Sequence, residues 1–361
     1  MAAGNTVKKY LGRYSFTLGF LLLFFAWMWL RPDSAPQVYQ LSGSTMGTSY
    51  QILVAGFPDS VSDADLARGI DQRLYRIDRE LMSTYAPDSE LSRFNNSEPG
   101  EWFEVSAELA WVIDQALQIS RLTDGYFDVT VGPLVDRWGF GPQQAEAAGV
   151  PRVPDDAEIA QLQTQIGYDA LEVTLQPPAL RKSRQVRVDL SGIAKGYGAD
   201  VIADYMAEVG QESYFIEIGG ELRIRGIKPD GSAWVPAIEK PTAGAPEIHR
   251  IFYTHGQSIG VAGSGDYRNY FEQNGQRYSH EIDPFTGRPV THSLAAVYVI
   301  ADNATVADAL ATAFMVMGEP RSMALAEQIG LAAYFIVKST HANGFEQHYS
   351  SRFADYLEET P

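Results

Sequence analysis

Apolar residues recur at spacings of three and four in two segments of the first third of the chain. In the segment 62–84 these positions are Leu66, Ile70, Leu74, Ile77 and Leu81. This spacing lines one face of an α-helix, and Ser62 with Asp65 three residues later is a typical N-terminal cap. A second such segment follows Ser106 and stops before Gly125. The pattern predicts two amphipathic helices.

Short apolar or alternating segments predict β-strands elsewhere. They are SYQILVAG, LEVTL, QVRVDL, SYFIEI, LRIRG, SLAAVYVIAD and LAAYFIVKS. The tripeptide GGE joins SYFIEI to LRIRG in a hairpin, and the last two strands flank a helix. We expect this helix from about Thr305 to Met317, with Thr305 as N-cap and Gly318 as the stop. Hairpins are as frequent as strand–helix alternations, which favours an α+β fold: largely antiparallel sheets packed with helices in a single globular domain.

The first forty residues differ in composition from the rest. Residues 1–13 carry a basic flank, and residues 14–30 are uncharged and mostly apolar. This is the layout of a secretory signal or signal anchor, and Pro36 disfavours cleavage just before it. About 20 apolar residues span a bilayer, and about 17 can suffice. We expect a transmembrane signal anchor over 14–30 in the cell inner membrane, a linker over 31–40, and a domain over 41–361 that faces the periplasm. A buried soluble helix is the alternative.

Charge and cysteine content exclude several classes of protein and site. The chain of 361 residues has a formal net charge of −17 and no cysteine. A phosphate polymer would be repelled, so we expect no nucleic-acid partner. Disulfides, thiolate metal sites, cysteine nucleophiles and a lipid-modified N-terminal cysteine are excluded.

A glycine-rich stretch, VDLSGIAKGYGADVIADYM at 188–206, joins an expected strand to an expected helix. Asp189 ends the strand, and Lys195 lies among Gly192, Gly196 and Gly198. Glycine lets backbone amides approach a ligand, and a helix N-terminus offers free N–H groups to an anion, which indicates a phosphate site. The stretch fits neither common phosphate-binding glycine motif, so a plain strand-to-helix joint with a solvated lysine is an equal alternative.

Asp308 and Thr312 are the polar exceptions in the apolar segment TVADALATAFMVMG. They are four residues apart and therefore share one face of the expected helix. A carboxylate is costly to bury unless it is paired or bound to a metal, and oxygen ligands of this kind suit Mg²⁺. The alternative is that Asp308 interacts with the helix dipole and Thr312 bonds to its own backbone.

The segment YSHEIDPFTGRPVTH places His280, Asp283 and Arg288 close in sequence. A histidine within reach of a hydroxyl is a natural general base, whereas Asp-Pro and Thr-Gly dipeptides commonly build a surface hairpin.

Aromatic residues stand beside other turns, and such rings stack on planar ligands or pack in the core. They are Tyr85, Tyr126, Phe127 and Trp138.

Seven motifs occur in a recognisable order: STMGTSYQI, LMSTYAPDSELSRFN, GYFDVTVGPLVDRWGFG, VDLSGIAKGYGADVIADYM, IGGELRIRG, YSHEIDPFTGRPV and ATVADALATAFMVMG. The series, from about Ser44 to Gly318, closely resembles the FAD:protein FMN transferases, the ApbE-type flavin transferase family. Members of that family move FMN from FAD onto a threonine or serine of a target protein, use Mg²⁺ and release AMP. Typical acceptors are subunits of membrane redox complexes, such as sodium-pumping quinone reductases and Rnf-type complexes.

The resemblance implies roles for individual residues. The expected FAD contacts are Met46, Tyr85, Tyr126, Phe127, Asp128, Asp189, Lys195, Ile282 and Ala311. The expected Mg²⁺ ligands are the carbonyl of Gly192 and the side chains of Asp308 and Thr312. For the base that deprotonates the target hydroxyl we select His280, with Asp283 as its orienter or substitute.

Two other functions fit the same motifs. One is an FAD pyrophosphatase that forms FMN and AMP, with water as the nucleophile, and the other is a non-catalytic envelope protein that binds FAD. Many family members are lipoproteins with a cysteine after the signal, which this chain lacks. We expect an uncleaved N-terminal helix to take the place of the lipid anchor.

Overall fold

Eight strands pair into one sheet in the computed structural model, which describes residues 38–56, 61–141, 153–242, 244–267, 269–339 and 344–359. Numbered along the chain and taken in spatial order, they are β1 (Val38–Thr45), β2 (Thr48–Ala55), β6 (Tyr214–Ile218), β7 (Glu221–Arg225), β10 (Ile259–Gly265), β15 (Leu294–Ala301), β16 (Ala332–Lys338) and β17 (Phe345–Tyr349). Every neighbouring pair is antiparallel. The predicted α+β fold with a largely antiparallel sheet is confirmed.

The remaining strands form small sheets at the margins of the large one. They are β3 (Phe103–Glu104), β4 (Leu171–Leu175) and β5 (Pro178–Lys182) in one sheet, and the hairpins β8 (Ala237–Glu239) with β9 (Ile248–Ile251), β11 (Tyr270–Gln273) with β12 (Gln276–Ser279), and β13 (Ile282–Asp283) with β14 (Arg288–Pro289).

Several helices begin directly after a residue whose side chain caps them. The helices are α1 (Asp63–Tyr75), which continues as a π-helical segment over Arg76–Leu81, α2 (Glu90–Asn95), α3 (Ala107–Leu122), α4 (Gly132–Trp138), α5 (Asp156–Gln163), α6 (Ala194–Glu208), α7 (Ala304–Met317) and α8 (Glu319–Ile329). The side chains of Ser62 and Ser106 accept hydrogen bonds from the amides of Asp65 and Leu109, as an N-cap does. Both predicted amphipathic helices are confirmed, and so is the predicted cap at Ser62, but the first helix ends at Leu81 and not at residue 84.

The large sheet has a packed layer on each face. α1 and α6 cover the β2–β6 end of one face through Leu66, Ile70, Ile202 and Met206, and α7 continues this layer over β10 and β15. The opposite face is covered by the β8–β9 hairpin and the 3₁₀ segment Ser351–Tyr356, with Ile238, Phe252 and Phe353 in the core. Burial of apolar area on both faces is the main stabilising contribution to this architecture.

The segment QVRVDL, predicted as a strand, joins no sheet. The amide of Val188 donates to Oδ1 of Asn95 at 2.8 Å, and the Asn95 amide group donates to the Val188 carbonyl at 2.8 Å. The amide of Asp189 donates to the carbonyl of Val129 at 2.7 Å. A side chain and a loop therefore satisfy the backbone groups that a partner strand would otherwise pair.

Two helix starts differ from the expectation. Asn303, not Thr305, is the N-cap of α7, because its side chain accepts from the amide of Val306, whereas Gly318 ends the helix as predicted. α6 begins at Ala194, so Lys195, Gly196 and Gly198 lie in the helix and not in a loop before it. Lys195 is therefore held by a regular helical turn.

The part of the chain from Val38 onward forms one compact unit. Residues 38–40, which we assigned to the linker, belong to β1, so the domain begins before residue 41. The expected basic flank 1–13, the anchor 14–30 and the linker residues 31–37 lie outside the described residues. Within the described ranges, no helix has both the length and the apolar character that crossing a bilayer requires.

Lys182, at the end of β5, is completely buried. Its ammonium donates to the carbonyl oxygens of Phe94 at 3.2 Å and Asn95 at 2.8 Å, at the C-terminus of α2. Burial lowers the pKa of Lys182. A lysine whose pKa is lower in the folded state than in the unfolded state reduces the free energy of unfolding while it is protonated. This cost disappears as the pH rises from the folded-state pKa towards the unfolded-state pKa of about 10.4.

We expect the free energy of unfolding of the parent to rise towards pH 10 relative to that of a Lys182→Met variant. Urea denaturation at several pH values measures this difference. If the difference in free energy of unfolding between the parent and Lys182→Met stayed constant with pH, it would contradict the assignment of a buried, charged lysine.

Candidate functional site

A cavity of about 680 Å³ opens beside α6 and α7. Its walls come from the loop after α3, the chain before α6, the β6–β7 turn, the end of β10 and the chain after β12. Ten residues selected from the sequence line it: Tyr126, Phe127, Asp128, Asp189, Gly192, Lys195, His280, Ile282, Asp308 and Thr312. The fold thus gathers residues from four distant motifs around one space.

Four selected residues lie outside this lining. Met46 has its Cε 2.9 Å from the position that a Cβ on Gly198 would occupy, so it packs against α6. Ala311 is buried within α7. Tyr85 is 70% exposed, and partial burial together with the negative charges of Asp189 and Asp136 raises its pKa.

The fourth, Asp283, does not reach His280. Its Oδ1 accepts from the amide of Phe285 at 2.8 Å, and its carbonyl accepts from the amide of Gly287 at 2.8 Å. The carboxylate therefore builds the turn between β13 and β14, as the alternative of a surface hairpin predicted. The role of orienter that we gave to Asp283 is not supported by its position.

Lys195 is the centre of a buried ionic group. Its Nζ lies 2.8 Å from Oε1 of Glu221 and 3.7 Å from Oδ1 of Asp308. Both carboxylate side chains are only 4% exposed. Burial works against the charged lysine, but the negative charges of Asp308 and Glu221 outweigh it and raise the pKa of Lys195. Burial also raises the pKa of Asp308 and that of Glu221, against the opposing pull of Lys195.

Oxygen atoms suited to a hard cation lie next to this group. A Cβ placed on Gly192 would lie 3.3 Å from the hydroxyl of Thr312, so the Gly192 backbone and Thr312 are direct neighbours. Asp308 precedes Thr312 by one turn of α7, and both line the cavity. No group of three His, Cys, Asp or Glu side chains able to hold a metal occurs in the described part of the chain. A carboxylate, a hydroxyl and a carbonyl form an all-oxygen donor set, which fits Mg²⁺.

Each of the two helices that carry these residues is capped by an aspartate of the other. The amide of Gly196, in the first turn of α6, donates to Oδ2 of Asp308 at 3.0 Å. The amides of Ala304 and Thr305, in the first turn of α7, donate to the carboxylate of Asp200 on α6 at 2.9 and 2.8 Å. First-turn amides have no partner within their own helix, so these bonds fix α6 against α7.

The packing between the two helices needs a glycine at this point. A Cβ on Gly196 would lie 2.2 Å from the carbonyl oxygen of Ala304, which is backbone and cannot move aside. The glycines of the 188–206 stretch therefore serve helix packing as well as access to the cavity.

Asp128 and Asp189 also line the cavity. Asp128 accepts from the amide and hydroxyl of Thr130 and from the amide of Tyr168, while burial raises its pKa. Asp189 accepts from the amide of Ser191 at 2.8 Å, which forms the turn that leads to Gly192. Both carboxylates therefore hold loop geometry in addition to lining the cavity.

Comparisons with known proteins agree with this geometry. A family model described as the ApbE family matches residues 46–335. The chain belongs to the ApbE family. It is 44% identical to the FAD:protein FMN transferase of Vibrio cholerae serotype O1 over 90% of this chain and 93% of the relative. It is 38% identical to the FAD:protein FMN transferase of Haemophilus influenzae over 89% of this chain and 92% of the relative.

Solved structures of the ApbE family share the fold. The flavin transferase ApbE from Vibrio cholerae superposes with a TM-score of 0.81 at 42% identity, covering 89% of this chain and all of that one. The apo form of the Pseudomonas stutzeri flavinyl transferase ApbE superposes with a TM-score of 0.80 at 36% identity, covering 90% of this chain and 98% of that one.

Two buried carboxylates of this ApbE-family site were not selected from the sequence. Glu221 was interpreted only as part of the GGE turn, and Glu281 was not singled out. The sequence contains a signal for Glu221, because Glu221 and Arg223 are charged residues two positions apart in β7. In the structure they form ion pairs with Lys195 and Asp200 on α6, at 2.8 and 3.1 Å. Charges two residues apart in a strand share a face, which indicates a charged inner face.

Proposed function

We propose that this protein is a Mg²⁺-dependent FAD:protein FMN transferase, which moves FMN from FAD to a threonine or serine hydroxyl of a target protein and releases AMP. The observation that carries the proposal is the meeting of a partly buried lysine, an all-oxygen donor set and a histidine around one cavity. The names of the family relatives support the same activity.

Mg²⁺ would be held by Asp308, Thr312 and the carbonyl of Gly192, and it neutralises phosphate charge when bound. Lys195 places a second positive charge beside the diphosphate, where negative charge develops as AMP leaves. His280 accepts the proton of the target hydroxyl while the hydroxyl oxygen attacks the phosphorus on the FMN side. Tyr126 and Phe127 supply aromatic surface for the flavin end of the substrate.

The test combines the purified protein with FAD, Mg²⁺ and an acceptor subunit of a sodium-pumping quinone reductase or an Rnf-type complex. Flavin fluorescence on the acceptor band after denaturing electrophoresis, with a mass increase equal to FMN, is the expected result. Release of FMN and AMP without labelling would indicate a pyrophosphatase. Intact bound FAD after long incubation would indicate a binding protein. Either outcome would overturn the proposal.

The acceptors and the location are part of the same proposal. A single N-terminal anchor over 14–30 would hold the catalytic domain at the periplasmic face of the inner membrane, where subunits of membrane redox complexes are accessible. The N-terminus of the mature protein in purified envelopes tests this, because a start near residue 36 would mean that the segment is cleaved.

A further inference from the structure

Both ring nitrogens of His280 face oxygen atoms. Nδ1 lies 3.1 Å from the carbonyl oxygen of Asn269, and Nε2 lies 3.4 Å from Oε1 of Glu281. A neutral imidazole carries one ring hydrogen, and both the carbonyl and the carboxylate only accept, but only the contact at Nδ1 has the geometry of a hydrogen bond. We therefore assign the hydrogen to Nδ1, which leaves the lone pair on Nε2 as the basic site.

The Glu281 carboxylate is fixed before any acceptor arrives. Its side chain is 7% exposed, and its Oε1 accepts from the hydroxyl of Ser264 on β10 at 2.8 Å. The backbone of Glu281 is also held, since its amide donates to the hydroxyl of Ser279 and its carbonyl accepts from the amide of Val290. A charge that is held in place needs little reorganisation during a reaction.

We propose that Glu281 is the positioning residue of His280 and stabilises the imidazolium that forms during FMN transfer; this inference rests on the proposed function. In the resting enzyme the Nε2 lone pair faces a carboxylate oxygen, which is an unfavourable contact. Once Nε2 is protonated, the same contact becomes an ion pair. Glu281 thus stabilises the protonated imidazole of His280 relative to the neutral one. This preference accelerates proton transfer from the acceptor hydroxyl.

Proton transfer and phosphoryl transfer are balanced in this step. The O–H bond of the acceptor breaks and its proton forms a bond to Nε2 of His280. The acceptor oxygen forms a bond to the FMN-side phosphorus, and the bond from that phosphorus to the oxygen of AMP breaks, with the electron pair leaving on AMP. Glu281 stays ionised throughout, so no further reactant is required.

The experiment compares kcat and the KM for FAD in the parent and in Glu281→Gln, Glu281→Asp and His280→Ala. Glu272→Gln is the matched control, because Glu272 lies exposed on β11 and does not line the cavity. We expect Glu281→Gln to lower kcat about a hundredfold with KM changed less than twofold, and Glu281→Asp to recover most of the loss. Glu272→Gln should match the parent.

A double variant tests whether Glu281 acts through His280. If it does, His280→Ala with Glu281→Gln is no slower than His280→Ala alone, because the partner of the carboxylate is already absent. A further hundredfold loss in the double variant would overturn the proposal, and so would a parental kcat for Glu281→Gln. Failure of the parent itself to label the acceptor would instead refute the proposed function.

The tautomer supplies a readout that is independent of activity. ¹⁵N NMR of histidine-labelled parent, with the His280 signals assigned by their loss in His280→Ala, should show the hydrogen on Nδ1. A hydrogen on Nε2 would mean that Nε2 already donates to Glu281, and this result would overturn the proposal. Equal melting temperatures of the parent and Glu281→Gln show that the kinetic change is not a loss of fold.

Discussion

Replacing Asp308 by asparagine is expected to lower the rate of FMN transfer about a thousandfold. The amide matches the carboxylate in size, and its oxygen still accepts from the amide of Gly196, which now binds Oδ2 at 3.0 Å. The substitution therefore removes the charge next to Thr312 and Lys195 while the helix contact is kept. Initial rates of acceptor labelling at several Mg²⁺ concentrations measure the effect.

Asp302→Asn is the control for this experiment, because Asp302 is exposed just before α7 and does not line the cavity. It should label the acceptor at the parental rate. Calorimetric titration of Mg²⁺ in the presence of FAD should show weaker binding for Asp308→Asn. Parental labelling by Asp308→Asn would remove the basis for a metal at this position.

Replacing Lys195 by methionine is expected to lower the free energy of unfolding by about 3 kcal/mol, because it leaves two buried carboxylates without their cation. Labelling of the acceptor should also fall at least about a hundredfold, since the positive charge that we propose to lie beside the diphosphate is lost. Urea denaturation and the labelling assay measure the two effects separately.

A double variant separates stability from function at this position. Lys195→Met with Glu221→Gln removes the lysine and neutralises its 2.8 Å partner, so most of the lost stability should return. Labelling should stay low. Lys240→Met is the control, because the Lys240–Glu247 ion pair is exposed and its removal should cost less than about 1 kcal/mol. Equal stability of Lys195→Met and Lys240→Met would contradict the account of a buried ionic group.

Local signals were sufficient for the regular helices. These signals are the apolar spacing around Leu66 and the serines at positions 62 and 106, which depend only on residues that are close in sequence. The helices form at these places in the structure. Contacts from distant residues decided the exceptions. The hydroxyl of Thr305 donates to Asp200 at 2.6 Å, which leaves the capping role to Asn303. The side chain of Asn95 replaces a partner strand for Val188.

The ordered motifs selected ten residues that line the cavity, because the four motifs that contain them contribute to its walls. Glu281 was not among the selected residues, and in a regular strand its side chain would point away from that of His280. Residues 280 and 281 lie between β12 and β13, outside regular strand geometry, so both side chains reach the same space. Asp283 was preferred from the sequence, yet it is used by the turn that it begins.

The mutual capping of α6 and α7 has a consequence for how this region unfolds. Asp200 and Asp308 each bind amides of the other helix, so fraying of either first turn breaks bonds that hold the second. The two helices should therefore open together as one cooperative unit, with matched rates of amide hydrogen exchange for Gly196 and Thr305. Partial unfolding that frees Lys195 would at the same time release Asp308, so the lysine and the acid of the proposed metal site are lost or kept together.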